Sequence, residues 1–168
     1  FRLLPLMAAA VLMFGACSSG ATPSGSSAAV PSGSTAAAPS GSGSASGACA
    51  GTGTAAGANL QIPDVEAGKF NVAMVLIGPH DDGGWSQAHY EGLQYICQNM
   101  PDTHIAYVEL VPEGADSEQV FRSLSRKGFN FIIGTSFGYM DPMATVAEEF
   151  PDITYLHLTG YKSNGKNF

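Results

Sequence analysis

FNVAMVLIGPHDDGGWSQAHYEGLQYICQNM, residues 70–100, changes its rhythm half-way along. Phe70-Asn71-Val72-Ala73-Met74-Val75-Leu76-Ile77 is rich in β-formers and largely apolar on both alternating faces. That pattern suits a central strand of a parallel sheet, covered on both sides. Gly78-Pro79 ends the strand. From Trp85 the period lengthens. Positions 85, 88, 89, 92, 93, 96, 97 and 100 hold Trp, Ala, His, Gly, Leu, Ile, Cys and Met, a stripe that predicts an amphipathic helix. Pro101-Asp102 stops it.

The same alternation continues downstream. His104 to Leu110 predicts a second strand. Asp116-Ser117-Glu118-Gln119 resembles a capping box with Asp in the place of Ser or Thr. Val120, Phe121 and Leu124 lie on one side of the helix it would open. Arg122, Arg126 and Lys127 sit toward the helix end, where the dipole favours cations, and Gly128 suits its termination. Phe131-Ile132-Ile133 predicts a third strand. Asp141-Pro142 predicts a third helix, with Asp as N-cap and Pro at the first position. Ile153 to Leu158 predicts a fourth strand. The order β-α-β-α-β-α-β with short links implies an α/β lobe over residues 69–168: a parallel sheet with helices on both faces and right-handed crossovers. Ligands of such sheets sit beyond the carboxyl ends of the strands. Here those ends are Gly78–Trp85, Val111–Ala115, Gly134–Asp141 and Thr159–Gly165. Three of the four carry aromatics: Trp85, Phe137 with Tyr139, and Tyr161.

The first third of the chain is different. It begins at Phe1 rather than Met, which implies a start further upstream. Arg2, an apolar run from Leu3 to Phe14 and then Gly15-Ala16-Cys17 predict a secretory signal over residues 1–16. The run is too short to span a bilayer. A cut just before Cys17 matches the pattern of a bacterial lipoprotein, with Cys17 taking the lipid. Residues 17–62 are mostly Ser, Gly, Ala, Thr and Pro, and predict a flexible tether that holds the lobe off a membrane. Cys49 lies in that tether, and Cys97 reads as a buried structural thiol. Outside the cytoplasm the two could pair, but a mobile tether would gain little from the bond. The chain carries a formal net charge of -7 with few, unpatterned Lys and Arg, which argues against a nucleic-acid surface.

Gly134-Thr135-Ser136-Phe137-Gly138 is a G-x-S-x-G, following an apolar run and preceding a helix. A hydrolase can present a nucleophilic serine this way. A nucleophile also needs a base, an orienting acid and oxyanion donors. The only histidine after Ser136 is His157, inside the fourth predicted strand. Asp141 is committed as a cap, and no H-G-G-G-type segment lies upstream. A secreted serine hydrolase using Ser136 therefore stays an alternative to a binding role. His80 and His89 flank the first loop without the spacing of a metal site, so neither metal nor cofactor is expected.

The loop Pro79 to Gln87 offers more. Its glycines let backbone approach a ligand, and an uncapped helix start would offer N–H donors. A planar heterocycle could stack on Trp85, while Asp82, Ser86 and Gln87 meet its polar edge or the hydroxyls of an attached sugar.

With these loops in view, VAMVLIGPHDDGGWSQAHYEGL (72–93), IIGTSFGYMDPMATVAEEFPDI (132–153) and LHLTGYKS (156–163) together resemble the basic membrane protein family. These are substrate-binding lipoproteins of ABC importers, many of which bind purines or nucleosides. The resemblance implies a type I periplasmic-binding-protein-like lobe. It also implies a lipid-anchored protein on the extracytoplasmic side of the cell membrane, handing a purine or nucleoside to an ABC permease without doing chemistry. Asp82 matches the family's acid, Trp85 the base-stacking aromatic, Gln87 its Gln, and Ser86 replaces a common Asn. Phe137 falls at the aromatic on the opposite side of the base. Ser136 and Tyr161, on the same rim, complete the expected ligand set. The family is longer than residues 69–168, so a second lobe is expected to be missing. A sensor that binds the same ligand and signals without transport remains a further alternative.

Overall fold

The computed structural model describes residues 49–57 and 59–168. The predicted signal peptide, Cys17 and most of the predicted tether lie outside the described residues. The elements are β1 (Thr52–Ala55), β2 (Phe70–Val75), α1 (Trp85–Asn99), β3 (Thr103–Glu109), α2 (Ala115–Lys127), β4 (Phe131–Gly134), a short 3-10 helix (Phe137–Tyr139), α3 (Met140–Glu149) and β5 (Thr154–His157). The five strands form one parallel sheet in the order β1-β3-β2-β4-β5.

β2 is buried on both faces, as its apolar run predicts. Val72, Met74 and Leu76 pack with Leu93, Ile105, Tyr107 and Ile133 on the α1 side. Ala73 and Val75 pack with Ala106, Val108 and Ile132 on the other side, under Val120, Phe121 and Leu124 of α2 and Met143 and Val146 of α3. The step from β2 to β3 runs one way along the sheet and the later steps run the other way. Right-handed crossovers then place α1 on one face and α2 and α3 on the opposite one.

The helix stripe needs a correction of phase. The line of α1 that meets the sheet runs through Ser86, Tyr90, Leu93 and Cys97, with Ile96 beside it. Trp85 and Met100, the ends of the predicted stripe, are exposed. Two predicted caps also fail. α2 starts at Ala115 behind Gly114, whose φ of 85° suits glycine, and Asp116 lies inside the first turn. α3 continues directly from the 3-10 helix, so Asp141 caps nothing and instead pairs with Lys162. Gly128 does end α2, in the left-handed region, with its N–H directed at Leu124 O and Ser125 O.

The largest correction concerns the predicted tether. Its described part is folded: β1 pairs with β3, and Ala56, Leu60 and Ile62 pack against the α2–α3 core. Cys49 and Cys97 form a disulfide between this segment and α1. Tyr90 Oη adds a hydrogen bond to Ala50 O at 2.7 Å. Thr-Gly-Thr-Ala gives no hydrophobic period because β1 is an edge strand held through its backbone. Its glycine has a specific role. Gly53 lies opposite Tyr107, and a Cβ there would come within 2.0 Å of the tyrosine ring.

Candidate functional site

In strand order β3-β2-β4 the chain leaves β2 for one neighbour and returns past it to the other. Open α/β sheets usually seat their ligands at the carboxyl ends of the strands beside such a reversal, here β2 and β4. The β2–α1 loop and the turn after β4 meet there. Trp85 joins them: its Nε1 donates to Thr135 O at 2.8 Å. Anchored by that bond, the indole remains 48% exposed. His89, one turn on, lies 4.4 Å from it centroid to centroid and donates from Nδ1 to Trp85 O at 2.6 Å. Phe137 is 57% exposed and Tyr161 79% exposed, with ring centroids 6.5 Å apart. Thus the structure brings Phe137 and Tyr161 together and ties Trp85 to the strand end that leads into Phe137.

The polar residues of the first loop turn inward on one another. Asp82 Oδ1 accepts from the N–H groups of Gly84 (2.8 Å) and Gln87 (3.0 Å), and Oδ2 accepts from that of Ser86 (3.0 Å). The start of α1 is therefore capped, by a carboxylate that precedes it, and does not offer the free donors expected from the sequence. Ser86 is completely buried, and its Oγ accepts from Gly78 N–H at 3.1 Å. That burial takes it out of a ligand's reach and makes it the fastening of the loop. Gln87 is engaged at both ends: Oε1 accepts from Gly83 N–H, and Nε2 donates to Glu91. Asp82 itself is exposed, and a carboxylate has acceptor capacity beyond three bonds.

The N–H groups of Gln87, Ser86 and Gly84, in that order, hold the Asp82 carboxyl at a pKa of about 2, below its ordinary 3.8. Because the folded value is the lower one, the cap's stabilisation is present above the unfolded value and fades as pH falls toward the folded value. Asp82→Ala should lower the thermal midpoint at neutral pH, and the gap to wild type should close between pH 3.8 and about 2. Thermal melts across that range check it; a constant gap would show that the carboxylate charge is not what caps α1.

Ser136 does not have a nucleophile's surroundings. Its backbone is extended, φ -122° and ψ 144°, with none of the strain of an elbow. Its Oγ donates to Glu113 Oε1, and His157 Nε2 donates to the Ser136 carbonyl at 2.7 Å, not to the hydroxyl. The histidine of a triad is therefore not on the hydroxyl, and the group that accepts the serine proton's hydrogen bond is a carboxylate shared with a backbone amide. Glu113, on the loop after β3, also accepts from Gly138 N–H at 3.0 Å. No sequence motif marked it. His80, beside the first loop, is fixed to Glu109 through both its backbone N–H and Nδ1. Among the described residues no cluster of three or more His, Cys, Asp or Glu could hold a metal ion, and no helix is long and apolar enough to cross a membrane.

A cavity of about 510 Å³ lies elsewhere. It separates α2 from the segment after β1, with Leu60, Ile62, Leu110, Asp116, Gln119 and Ser123 in its wall. None of the predicted ligand residues lines it. Volume favours that groove. The strand reversal, the exposed rings and the convergence of loops favour the rim.

Residues 69–168 match the family model Bmp, described as ABC transporter substrate-binding protein PnrA-like. The chain belongs to the Bmp family. Two curated relatives add detail. A purine-binding protein of Brucella abortus is 40% identical over 96 residues, covering 56% of this chain and 27% of that protein. A putative ABC transporter glucose-binding protein of Haloferax volcanii is 40% identical over 93 residues, covering 55% of this chain and 24% of that one. The Bmp chain thus spans about a quarter of the length of these relatives. A solved ABC transporter solute-binding protein from Conexibacter woesei superposes with a TM-score of 0.48 at 22% identity, over 51% of this chain and 28% of that chain. The Bmp lobe is α/β, a parallel sheet with helices on both faces.

Proposed function

We propose that this Bmp lobe is part of a solute receptor that holds a planar heterocycle of the purine or nucleoside class and hands it to an ABC permease. One observation carries the proposal. At the sheet's reversal point an indole is held by its N–H to the neighbouring strand end while its ring stays open, and Phe137 and Tyr161 stand exposed on the adjoining turns. An exposed aromatic costs a soluble lobe little when a flat ligand or a second lobe covers it, and stacking then supplies the affinity. Asp82, outside the bonds it makes to α1, can accept from a ligand hydroxyl. The purine-binding relative supports this ligand class. The glucose-binding relative supplies the competing one, since aromatic platforms also hold sugars.

Placement outside the cytoplasm is supported by the disulfide, which persists in oxidising compartments. A lipid on Cys17, which lies outside the described residues, would keep the receptor at the membrane beside its permease. The deciding experiment is calorimetry of the full-length, unlipidated protein against adenosine, guanosine, hypoxanthine, glucose and a set of amino acids. Tight binding of a purine compound is expected. Tight glucose binding with every purine compound silent would reject the purine class.

A further inference from the structure

The turn after β4 is held from three sides, by the start of α1, the end of β5 and the loop after β3. Trp85 Nε1 takes the Thr135 carbonyl from the β2 side. His157 Nε2 takes the Ser136 carbonyl from the β5 side. Glu113 takes the Ser136 hydroxyl and the Gly138 N–H from the β3 side, both through Oε1. The first two bonds end on the backbone before Phe137. Those of Glu113 come from both sides of it, and they are charge-assisted, the stronger kind. The sequence makes room for this carboxylate. A Cβ at position 138 would sit 2.2 Å from Glu113 Cδ, and the two carboxylate oxygens would lie at 2.4 and 2.5 Å. Gly138 is not in the left-handed region, so the glycine is explained by the space Glu113 occupies and not by backbone conformation. Tyr139 closes the arrangement: its buried hydroxyl donates to Val111 O at 2.6 Å, on the same β3–α2 connection.

We infer that Glu113 is the positioning residue that holds Phe137 in its ligand-ready place, and so tunes affinity for the flat ligand without touching it. This rests on the assignment of Phe137 to the binding rim. Two routes to removing the clasp distinguish it from a charge that acts on the ligand directly. Glu113→Ala deletes the acceptor. Gly138→Ala keeps the charge but drives the carboxylate out of the turn, which the flexible glutamate can do without disturbing the sheet. Glu113→Gln keeps an oxygen that accepts from both donors and removes the charge.

The test combines calorimetry of the full-length protein, using adenosine and hypoxanthine, with amide hydrogen exchange of the free protein. Glu113→Ala and Gly138→Ala should each weaken binding about tenfold, the scale of a hydrogen bond to a charged group. Glu113→Gln keeps both bonds in their weaker neutral form and should lose clearly less, about threefold. Exchange at the residue-138 amide should quicken about tenfold in the first two variants and by less in the third. Binding by Glu113→Gln as poor as by Glu113→Ala would overturn the inference in favour of a direct charge contact. An unchanged amide in Glu113→Ala would overturn the clasp itself. Failure of the wild type to bind either probe would instead reject the purine assignment, and the exchange arm would then decide the clasp alone.

Discussion

Reducing the Cys49–Cys97 bond, or replacing Cys97 by Ser, lowers the stability of the folded chain by about 4 kcal/mol. The figure follows from loop closure: the two cysteines are 48 residues apart, and opening a loop of that length returns about 4 kcal/mol of entropy to the unfolded chain. At a urea dependence of about 2 kcal/mol per molar, the midpoint falls by about 2 M. The effect should be felt first at one edge of the sheet. β1 holds to β3 along a single edge, and Ala56 N–H donates to Glu109 O at its far end. With the staple cut, these amides should exchange with solvent well before those of β2. Equal urea midpoints for the oxidised and reduced chains would mean that the bond contributes nothing to stability.

Trp85→Ala weakens ligand binding by about 1–3 kcal/mol, the range seen when a stacked base loses its aromatic partner. In affinity this is about 5- to 150-fold. Truncation also removes the N–H bond to Thr135 O, so a second variant is needed. Trp85→Phe keeps a ring and loses only the N–H, and should bind with a loss smaller than that of the alanine. The order alanine far below phenylalanine, and phenylalanine slightly below wild type, assigns the energy to the ring. Wild-type affinity in Trp85→Ala would make the indole a structural brace between the two strand ends.

How much of this was legible beforehand depends on where each residue's partner lies. β2, β3 and β4 announce themselves because burial on both faces demands continuous apolar runs. β1 does not, since Thr-Gly-Thr-Ala at an edge pairs by backbone alone, and with it the reason for the Cys49–Cys97 bond was hidden. In α1 the bulk of Trp85 and Met100 drew the ends of the expected stripe off its true line, by one residue at Ser86 and Tyr90, while Leu93, Ile96 and Cys97 lie on both. Caps misled for a related reason. The α1 cap comes from Asp82, two residues before the helix's flanking residue Gly84, and α3 grows out of a 3-10 turn that no cap pattern describes.

At the rim, the placement of the aromatic residues was readable, because each lies beyond the carboxyl end of a strand. Trp85, Phe137 and Tyr161 are all exposed on the expected side. The roles of the polar ones were not readable. Ser86 and Gln87 look like ligand groups in one dimension, yet their partners are backbone groups and a side chain within eight residues, which shape the loop itself, and Asp82 keeps for a ligand only what its bonds to α1 leave over. Glu113 had the opposite fate. It stands alone in the sequence, and its partners arrive only when the chain returns 23 to 25 residues later.

The most direct measurement is the structure of the full-length protein with its ligand bound. The account predicts a flat ring stacked at van der Waals distance on the Trp85 indole, with Phe137 on its other side and the Glu113 clasp intact. A ligand seated instead in the groove between α2 and residues 56–62, with Trp85 and Phe137 untouched, would contradict it.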